Sequence, residues 1–291
     1  MKKIVILGHE NPDVDSVVSG YLLEKILKIK GYTAQFIIPD KKLDTDTIDI
    51  CTKNGLNPSK FMQPLPLNNT EDINYILVDH NNRDLEGKII CIIDHHPAMK
   101  EFQLKHYYNN KISSTACFIC RENEHLLNEF DIKLAIIATL VDTAAFHSTK
   151  GRKEDKDWVI NLCNKYNFDY NELAKQGLSA TVLDDLNIAS LNGLKKYSFD
   201  GYSIESSYMQ VEGFANTEKE IQQILNILKE RIQENKLTAF VFIVHDIQSF
   251  KTMYYLITAN NIYTKYYSRY TQRGDTIIPE IRKFLNNNIK Q

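Results

Sequence analysis

The stretch IVILGHENPDVDS at residues 4–16 decides the fold of the first part of this chain. Its four leading apolar residues predict a buried strand, which stops at a turn carrying His9, Asp13 and Asp15. In open α/β sheets, ligands bind in the crevice beyond the carboxyl ends of the strands. The stretch therefore predicts a parallel sheet with a polar site where its first strand ends.

Two later apolar runs end in the same way. YILV at 75–78 is followed by Asp79, and ICII at 90–93 is followed by the triplet DHH at 94–96. Carboxylates with imidazoles suit a pair of small divalent cations, because oxygen ligands favour Mg²⁺ and Mn²⁺ while imidazole adds affinity for Mn²⁺ and Co²⁺. Three strand ends of this kind predict a two-metal site.

A further carboxylate, Asp142, lies in an apolar helical pattern at 136–146. An ionised group there is costly unless it is paired or bound to metal, so its position also indicates a cation. The alternative is that the first turn has only a structural role, in which Asp15 or Ser16 caps a helix and His9 is an exposed turn residue. Taken alone, the first turn leaves both interpretations open.

The order of predicted elements gives an α/β fold class with two domains. Strands and helices alternate in the first half, which predicts a parallel sheet with helices on both faces in a domain at 1–183. The second domain, 187–291, is predicted as a smaller α+β module with a mixed sheet. Its elements are a helix at 187–197, a strand at 202–211, a helix at 217–235, strands at 238–244 and 252–257, and a terminal helix from 279.

Composition excludes several classes of protein. The 291 residues are 43% hydrophobic and 25% charged, with a net charge of -2, which argues against a nucleic-acid binder held by bulk electrostatics. Neither a membrane-length apolar run nor a signal-peptide pattern is present, so we expect a cytoplasmic protein without membrane contact. The five cysteines lie in apolar patterns and are predicted to be reduced core thiols, including the CxxC pair Cys117 and Cys120.

The motifs GHENPDVDS, LVDHNN, IDHH and LVDT together resemble the four amino-terminal motifs of the DHH phosphoesterase superfamily. Their spacing is most similar to that of the manganese-dependent family II inorganic pyrophosphatases. The resemblance implies a metal-binding DHH domain followed by a DHH-associated substrate-binding domain, with the site in the cleft between them.

The resemblance also implies roles for individual residues. One Mn²⁺ would be bound by His9 and Asp13, the second by Asp15, His95 and Asp142, and Asp79 would bridge the two ions. His96 would be the general acid that contacts phosphate, and Asp94 and His80 would orient their neighbours. The two ions would share and activate a water for hydrolysis, and Co²⁺ or Mg²⁺ could use the same ligands.

The second domain departs from the family pattern. In the family, a Ser-Arg-Lys-Lys-Gln motif and an earlier lysine hold the leaving phosphate, whereas this chain has SRYTQ at 268–272. Arg269 and Lys195 are therefore the predicted phosphate-binding residues, with Lys196 as the alternative to Lys195. Arg273 is a candidate to replace a lost lysine. Tyr270 would either stack on a base or line a wider pocket, or it would simply pack between the domains. His147 also stands where the family often has a lysine, so a second cation is missing there.

Three functions remain open from the sequence. The first is manganese-dependent hydrolysis of diphosphate, the second is hydrolysis of short polyphosphate or nucleotides by a related enzyme, and the third is a phosphate-binding regulatory module with weak turnover. The expected partner is a small phosphoanhydride, with no nucleic acid, and the sequence leaves open whether the chain forms a homodimer. Neither a Gly-x-Ser-x-Gly turn nor a P-loop is present, which argues against those chemistries.

Overall fold

The computed structural model describes residues 3–65, 73–82, 85, 87–96, 104, 107–109 and 111–288. The chain divides into two compact units, the first made of 1–146 and 150–177 and the second of 147–149 and 178–291. The domain limits given above, 1–183 and 187–291, stay a prediction. Within the described ranges, no helix has both the length and the apolar character needed to cross a bilayer.

The first unit is built on a parallel sheet. Its strands and helices are, in chain order, β1 Lys3–Leu7, α1 Val14–Ile29, β2 Ala34–Ile37, α2 Thr45–Lys53, β3 Ile73–Val78, β4 Lys88–Asp94, β5 Tyr107–Asn109, α3 Thr115–Asn123, α4 Glu129–Asp142, α5 Lys153–Tyr166 and α6 Tyr170–Gly177. The strand order is β2-β1-β3-β4-β5, and each neighbouring pair is parallel. Leu77 pairs with Leu7 on one side and Ile92 on the other, so β1, β3 and β4 end at the same edge.

The sheet is buried on both faces, as its near-continuous apolar strands predict. Val5 and Leu7 of β1 lie in one buried cluster with Tyr75 of β3. On the other face, α1 packs against β1, β2 and β3. A Cβ atom at Gly20 would lie 2.2 Å from the ring of Phe36, so α1 can approach β2 this closely because residue 20 has no side chain. Each large apolar side chain buried here contributes about 1.5–3 kcal/mol.

The second unit is built on a mixed sheet. Its elements are α7 Leu186–Ala189, β6 Lys195–Phe199, β7 Tyr202–Val211, α8 Glu218–Glu234, β8 Ala239–Asp246, β9 Lys251–Ile257, β10 Ile262–Tyr267 and α9 Ile278–Asn288. In the order β10-β9-β8-β7-β6, only the described pair β7 and β8 is parallel. Residues of α8 pack on one face of this sheet and residues of α9 on the other. The predicted fold class, a parallel α/β domain followed by a mixed-sheet domain, is confirmed.

The helix predicted at 187–197 is wrong. The chain forms only the short α7 there, and Lys195 begins strand β6, which pairs antiparallel with β7. Gly193 has a φ of 58°, outside the helical region, and a Cβ there would lie 2.1 Å from the ring of Tyr208. Asp200 and Gly201, with φ values of 53° and 83°, then form the tight turn that a hairpin requires. Lys195 is therefore on a strand.

The five cysteines are all free thiols. Cys117 and Cys120 are buried in α3, and burial raises the pKa of each thiol above its ordinary value. The predicted reduced core thiols fit this environment, because a protonated buried thiol is a poor nucleophile and a poor metal ligand.

Candidate metal centre

Three strand ends place polar side chains at one edge of the first sheet. The turn after β1 carries His9, Asp79 follows β3 directly, and β4 ends on Asp94. Asp79 has a φ of 63°, a left-handed conformation that costs aspartate less than most residues. Its backbone N–H donates to the carbonyl oxygen of Ile93 at 2.9 Å, which holds this strained residue against the neighbouring strand. Such strain is often found at functional sites.

Asp13 caps the first helix, whereas the capping interpretation of the first turn expected Asp15 or Ser16 to do so. It is the N-cap residue of α1, and its Oδ1 accepts a hydrogen bond from the backbone N–H of Ser16 at 3.1 Å. Its Oδ2 lies 3.4 Å from Nε2 of His9. The other ring nitrogen of His9 lies 2.8 Å from the carbonyl oxygen of Glu10, which fixes the ring. Helix capping thus leaves one carboxylate oxygen of Asp13 for the site.

Asp79 is shared by two groups of candidate ligands. Its Oδ2 lies 3.6 Å from His9 Nε2, in a group completed by Asp13. Its Oδ1 lies 3.2 Å from Nε2 of His95, in a second group that is completed by His96. The same nitrogen of His95 is 3.3 Å from Oδ2 of Asp142, and these two residues form a further group with Asp15. The structure therefore brings together all six residues predicted as metal ligands, and places one carboxylate between two clusters.

Asp15 is held by the amino terminus of α3. Its two carboxylate oxygens accept hydrogen bonds from the backbone N–H groups of Thr115 at 2.8 Å and Ala116 at 2.9 Å. Ser114 caps the same helix through the N–H of Cys117. The positive end of the helix dipole thus faces a buried carboxylate, which favours its ionised form.

The cluster carries strong mutual repulsion. Burial, followed by the charges of Asp79 and Asp142, raises the pKa of Asp15 well above its ordinary value. Burial and the charge of Asp13 likewise raise the pKa of Asp79 to about 7. Carboxylates this close do not ionise together readily, because their negative charges repel. A divalent cation would favour the ionised form of each. The structure supplies the negative charge that such cations would balance.

Two buried atoms test whether metal ions fit this centre. Among the described residues, Oδ2 of Asp79 and Nε2 of His95 are buried and have no hydrogen-bond partner. A buried polar atom without a hydrogen-bond partner lowers the stability of the fold unless it binds a metal ion or a water molecule. Carboxylate oxygens with one imidazole nitrogen in each cluster form a donor set that suits Mn²⁺. The residues present fit the implied ions.

His96 is oriented by a carboxylate that lies below it. Nδ1 of His96 is 2.9 Å from Oδ1 of Asp94, and the backbone N–H of His96 donates to the same oxygen. Burial opposes the ionisation of Asp94, but the hydrogen bonds and charge of His96 outweigh it and lower the Asp94 pKa. The predicted orienting role of Asp94 therefore has a geometric basis, and the imidazole is 39% exposed.

Asn81, rather than His80, completes this arrangement. The amide of Asn81 donates to Oδ2 of Asp94 at 2.5 Å, so both oxygens of that carboxylate have partners. Nδ1 of His80 instead lies 3.0 Å from the backbone carbonyl oxygen of Val78. The sequence reasoning missed Asn81, although it lies in the quoted motif LVDHNN.

Lys150 is a second residue that the sequence reasoning missed. Its ammonium donates to Oδ1 of Asp142 at 2.6 Å. After α4 ends at Asp142, the three residues 144–146 all have positive φ, and this left-handed turn redirects the chain. His147, which replaces a family lysine, stacks its ring on Phe250 with centroids 3.7 Å apart. The chain therefore has a lysine three residues after His147, and that lysine pairs with Asp142.

The predicted phosphate-binding residues of the second unit have mixed surroundings. Lys195 and Arg269 are exposed, and their role stays a prediction. Tyr270 and Thr271, which replace the two family lysines, are buried, and the ring of Tyr270 stacks on His245 with centroids 4.2 Å apart. Tyr270 is therefore an interior residue of this unit, and its stacking face is already used.

Arg273 has a structural role in the second unit. Its guanidinium donates to the carbonyl oxygens of Gly193 at 2.6 Å and Ser206 at 3.2 Å. It also lies over the ring of Tyr208, 5.8 Å from the centroid. These contacts tie the segment before β6 to the rest of the second unit and use Nη1 of the guanidinium, so a role of Arg273 in phosphate binding stays a prediction.

His245, beneath Tyr270, gives the second unit a predicted sensitivity to acid. Burial, followed by the charge of Arg273, lowers the pKa of His245 to about 3. Between pH 3 and 6.5 the unfolded chain binds a proton at this histidine and the folded chain does not. Its contribution to the free energy of unfolding is therefore lost as pH falls, by about 1.4 kcal/mol per pH unit below 6.5, or about 2 kcal/mol at pH 5.

We expect His245→Phe, which keeps a ring against Tyr270, to lose less stability than the wild type between pH 7 and pH 5. Urea unfolding followed by circular dichroism at both values measures the difference. His125→Phe, at an exposed histidine, is the matched control and should leave the pH dependence unchanged. Equal losses in the wild type and His245→Phe would show that His245 is protonated in the folded state.

Comparison with known proteins finds a family that is similar to this part of the chain. Residues 3–145 match the family described as the DHH family, N-terminal domain. Two curated relatives, from Methanothrix thermoacetophila and Methanocaldococcus jannaschii, are both named manganese-dependent inorganic pyrophosphatase. The first is 25% identical over 84% of this chain and 81% of its own length, and the second is 25% identical over 83% and 82%.

A solved structure shows the same fold over the whole chain. It is a Methanococcus jannaschii protein assigned to the family II inorganic pyrophosphatases, and it aligns with a TM-score of 0.75 at 20% sequence identity. The alignment covers 97% of this chain and 99% of the other. Both units described above therefore have counterparts in that fold.

Proposed function

We propose that this chain is a manganese-dependent inorganic pyrophosphatase that hydrolyses diphosphate to two phosphates. One observation supports the proposal: Oδ2 of Asp79 faces His9, which lies beside Asp13, and Oδ1 faces His95, which lies beside Asp15 and Asp142. A carboxylate placed between two such clusters suits a two-metal hydrolytic site. The names of the two curated relatives support the choice of metal and substrate.

In this proposal His9 and Asp13 would hold one Mn²⁺, and Asp15, His95 and Asp142 would hold the other. Asp79 would contribute to both sites. When bound, the ions would neutralise charge on the phosphoryl group and lower the pKa of an attacking water. The chain's own contribution is to fix the ligands before the ions arrive. Backbone N–H groups hold the carboxylate of Asp15, and the hydrogen bond from the N–H of Asp79 to Ile93 of β4 holds the backbone of Asp79, so little rearrangement is needed.

His96 has the position of a proton donor. Asp94 holds its Nδ1 side, so Nε2 is the nitrogen that would deliver a proton to the oxygen of the leaving phosphate. Asn81 fixes Asp94 in turn. The arrangement therefore supplies a positioned imidazole beside a site for two cations.

A second candidate function is hydrolysis of short polyphosphates. It is favoured by the burial of Tyr270 and Thr271, because these positions offer no ammonium group to grip a small diphosphate. Arg269 is the exposed cation left in that motif. Weaker charge selection at this position would disfavour diphosphate relative to longer chains.

A substrate panel tests both candidates. We expect the purified protein with Mn²⁺ to release phosphate from diphosphate, and excess chelator to abolish the release. Parallel assays with Mg²⁺ and Co²⁺, and with tripolyphosphate, measure the preference for metal and chain length. Cleavage of tripolyphosphate without cleavage of diphosphate would replace the first candidate with the second. Phosphate binding without any turnover would instead indicate a regulatory module.

A further inference from the structure

The two carboxylate oxygens of Asp142 face different residues, and one of these is Lys150. Its ammonium binds Oδ1 at 2.6 Å, while Oδ2 of the same carboxylate faces Nε2 of His95 at 3.3 Å. The side chains of Lys150 and Asp142 are only 20% and 12% exposed. The lysine is thus in contact with a candidate metal ligand at a site that is largely shielded from water.

The charge around Lys150 changes greatly when cations bind. In the metal-free chain the ammonium is attracted by Asp142, which it contacts, and also by the charges of Asp79 and Asp13. Two divalent ions bound at the centre would neutralise these carboxylates, so the ammonium would then meet a nearly neutral cluster and two repelling cations. The attraction that Lys150 experiences is therefore strong without metal and weak with it.

We propose that Lys150 is an internal counter-ion that stabilises the metal-free centre and competes with the divalent ions. This inference rests on the metal centre of the proposed function but not on its substrate. By linkage, a group that stabilises the metal-free state more than the metal-bound state lowers metal affinity. Lys150 would thus keep the chain folded without metal and set how tightly Mn²⁺ is held.

The test compares Lys150→Met with Lys150→Arg and with Lys153→Met, a matched loss of charge at an exposed position three residues away. Melting followed by circular dichroism is recorded in excess chelator and in saturating Mn²⁺, and the Mn²⁺ dissociation constant is measured from free Mn²⁺ by electron paramagnetic resonance. None of these readouts needs substrate. A protein that binds Mn²⁺ but ignores diphosphate would contradict the proposed function alone.

We expect Lys150→Met to lower the melting temperature in chelator by about 3–6 °C, to change it by less than about 1 °C in Mn²⁺, and to bind Mn²⁺ about tenfold more tightly. Lys150→Arg and Lys153→Met should resemble the wild type. Should Lys150→Met fail to fold, Lys150→Gln removes the charge while keeping a donor for Asp142, and the same comparison applies.

Three results would overturn the proposal. Weaker Mn²⁺ binding by the variant would show that Lys150 orients Asp142 as a ligand instead of competing with the ions. An equal fall in melting temperature with and without Mn²⁺ would show a purely structural role. A wild-type chain that binds no Mn²⁺ would remove the centre on which the inference depends.

Discussion

Asp79→Asn should lower kcat for diphosphate hydrolysis by about a thousandfold or more while leaving the chain folded. The substitution keeps the shape of the side chain but removes the charge that faces both clusters, and metal-ion catalysis is worth several kcal/mol, each 1.4 kcal/mol being tenfold in rate. Steady-state phosphate release with Mn²⁺ measures the loss. The left-handed backbone at residue 79 tolerates asparagine.

The stability of the same variant provides the control. Because burial and the charge of Asp13 raise the pKa of Asp79, removing its charge should not lower the melting temperature in chelator, and we expect a rise. Asp49→Ala, which removes a carboxylate of α2 that pairs with Lys53, should leave kcat unchanged. Retention of more than a tenth of the wild-type kcat by Asp79→Asn would contradict the bridging role.

His96→Gln should lower kcat by about a hundredfold to ten-thousandfold, the range expected for loss of a general acid. Mn²⁺ affinity should stay within about threefold of the wild-type value, since its Nδ1 is bound by Asp94. Asp94→Asn should have a smaller effect on kcat, about tenfold to a hundredfold, because it loosens the imidazole without removing it. Single-turnover assays and Mn²⁺ titration separate these effects.

One outcome would reassign His96. Its Nδ1 lies 3.7 Å from Oδ1 of Asp79, so the ring is also near the second cluster. If His96→Gln weakened Mn²⁺ binding in proportion to the loss of kcat, the residue would be a metal ligand. A change confined to KM would show that it binds substrate without transferring a proton.

Much of the candidate centre could be predicted because it depends on strand ends. Parallel pairing brings the residues after β1, β3 and β4 to one edge whatever the loops do, so His9, Asp79 and His95 follow from the pattern of apolar runs. Asp142 could be predicted by a different argument, because burying a charge in an apolar helix costs free energy unless the charge is paired.

The missed residues depend on contacts that no local pattern encodes. Lys150 reaches Asp142 through a left-handed turn that contains two alanines, and nothing in the identity of alanine predicts that backbone. The helix expected at 187–197 failed because close packing against Tyr208 sets the conformation of Gly193. Strand β10 was missed because four of its six residues are exposed, which weakens the alternation on which strand prediction depends.

Both helix amino termini that adjoin the clusters are occupied by side chains of the protein itself. Asp13 takes the end of α1 and Asp15 takes the end of α3, although such ends often bind phosphate. The backbone N–H groups at these two ends thus hold candidate cation ligands. Under the proposed function, recognition of the anion would depend on side chains such as Arg269, and point substitution there would alter the choice of phosphate compound without disturbing the candidate metal ligands.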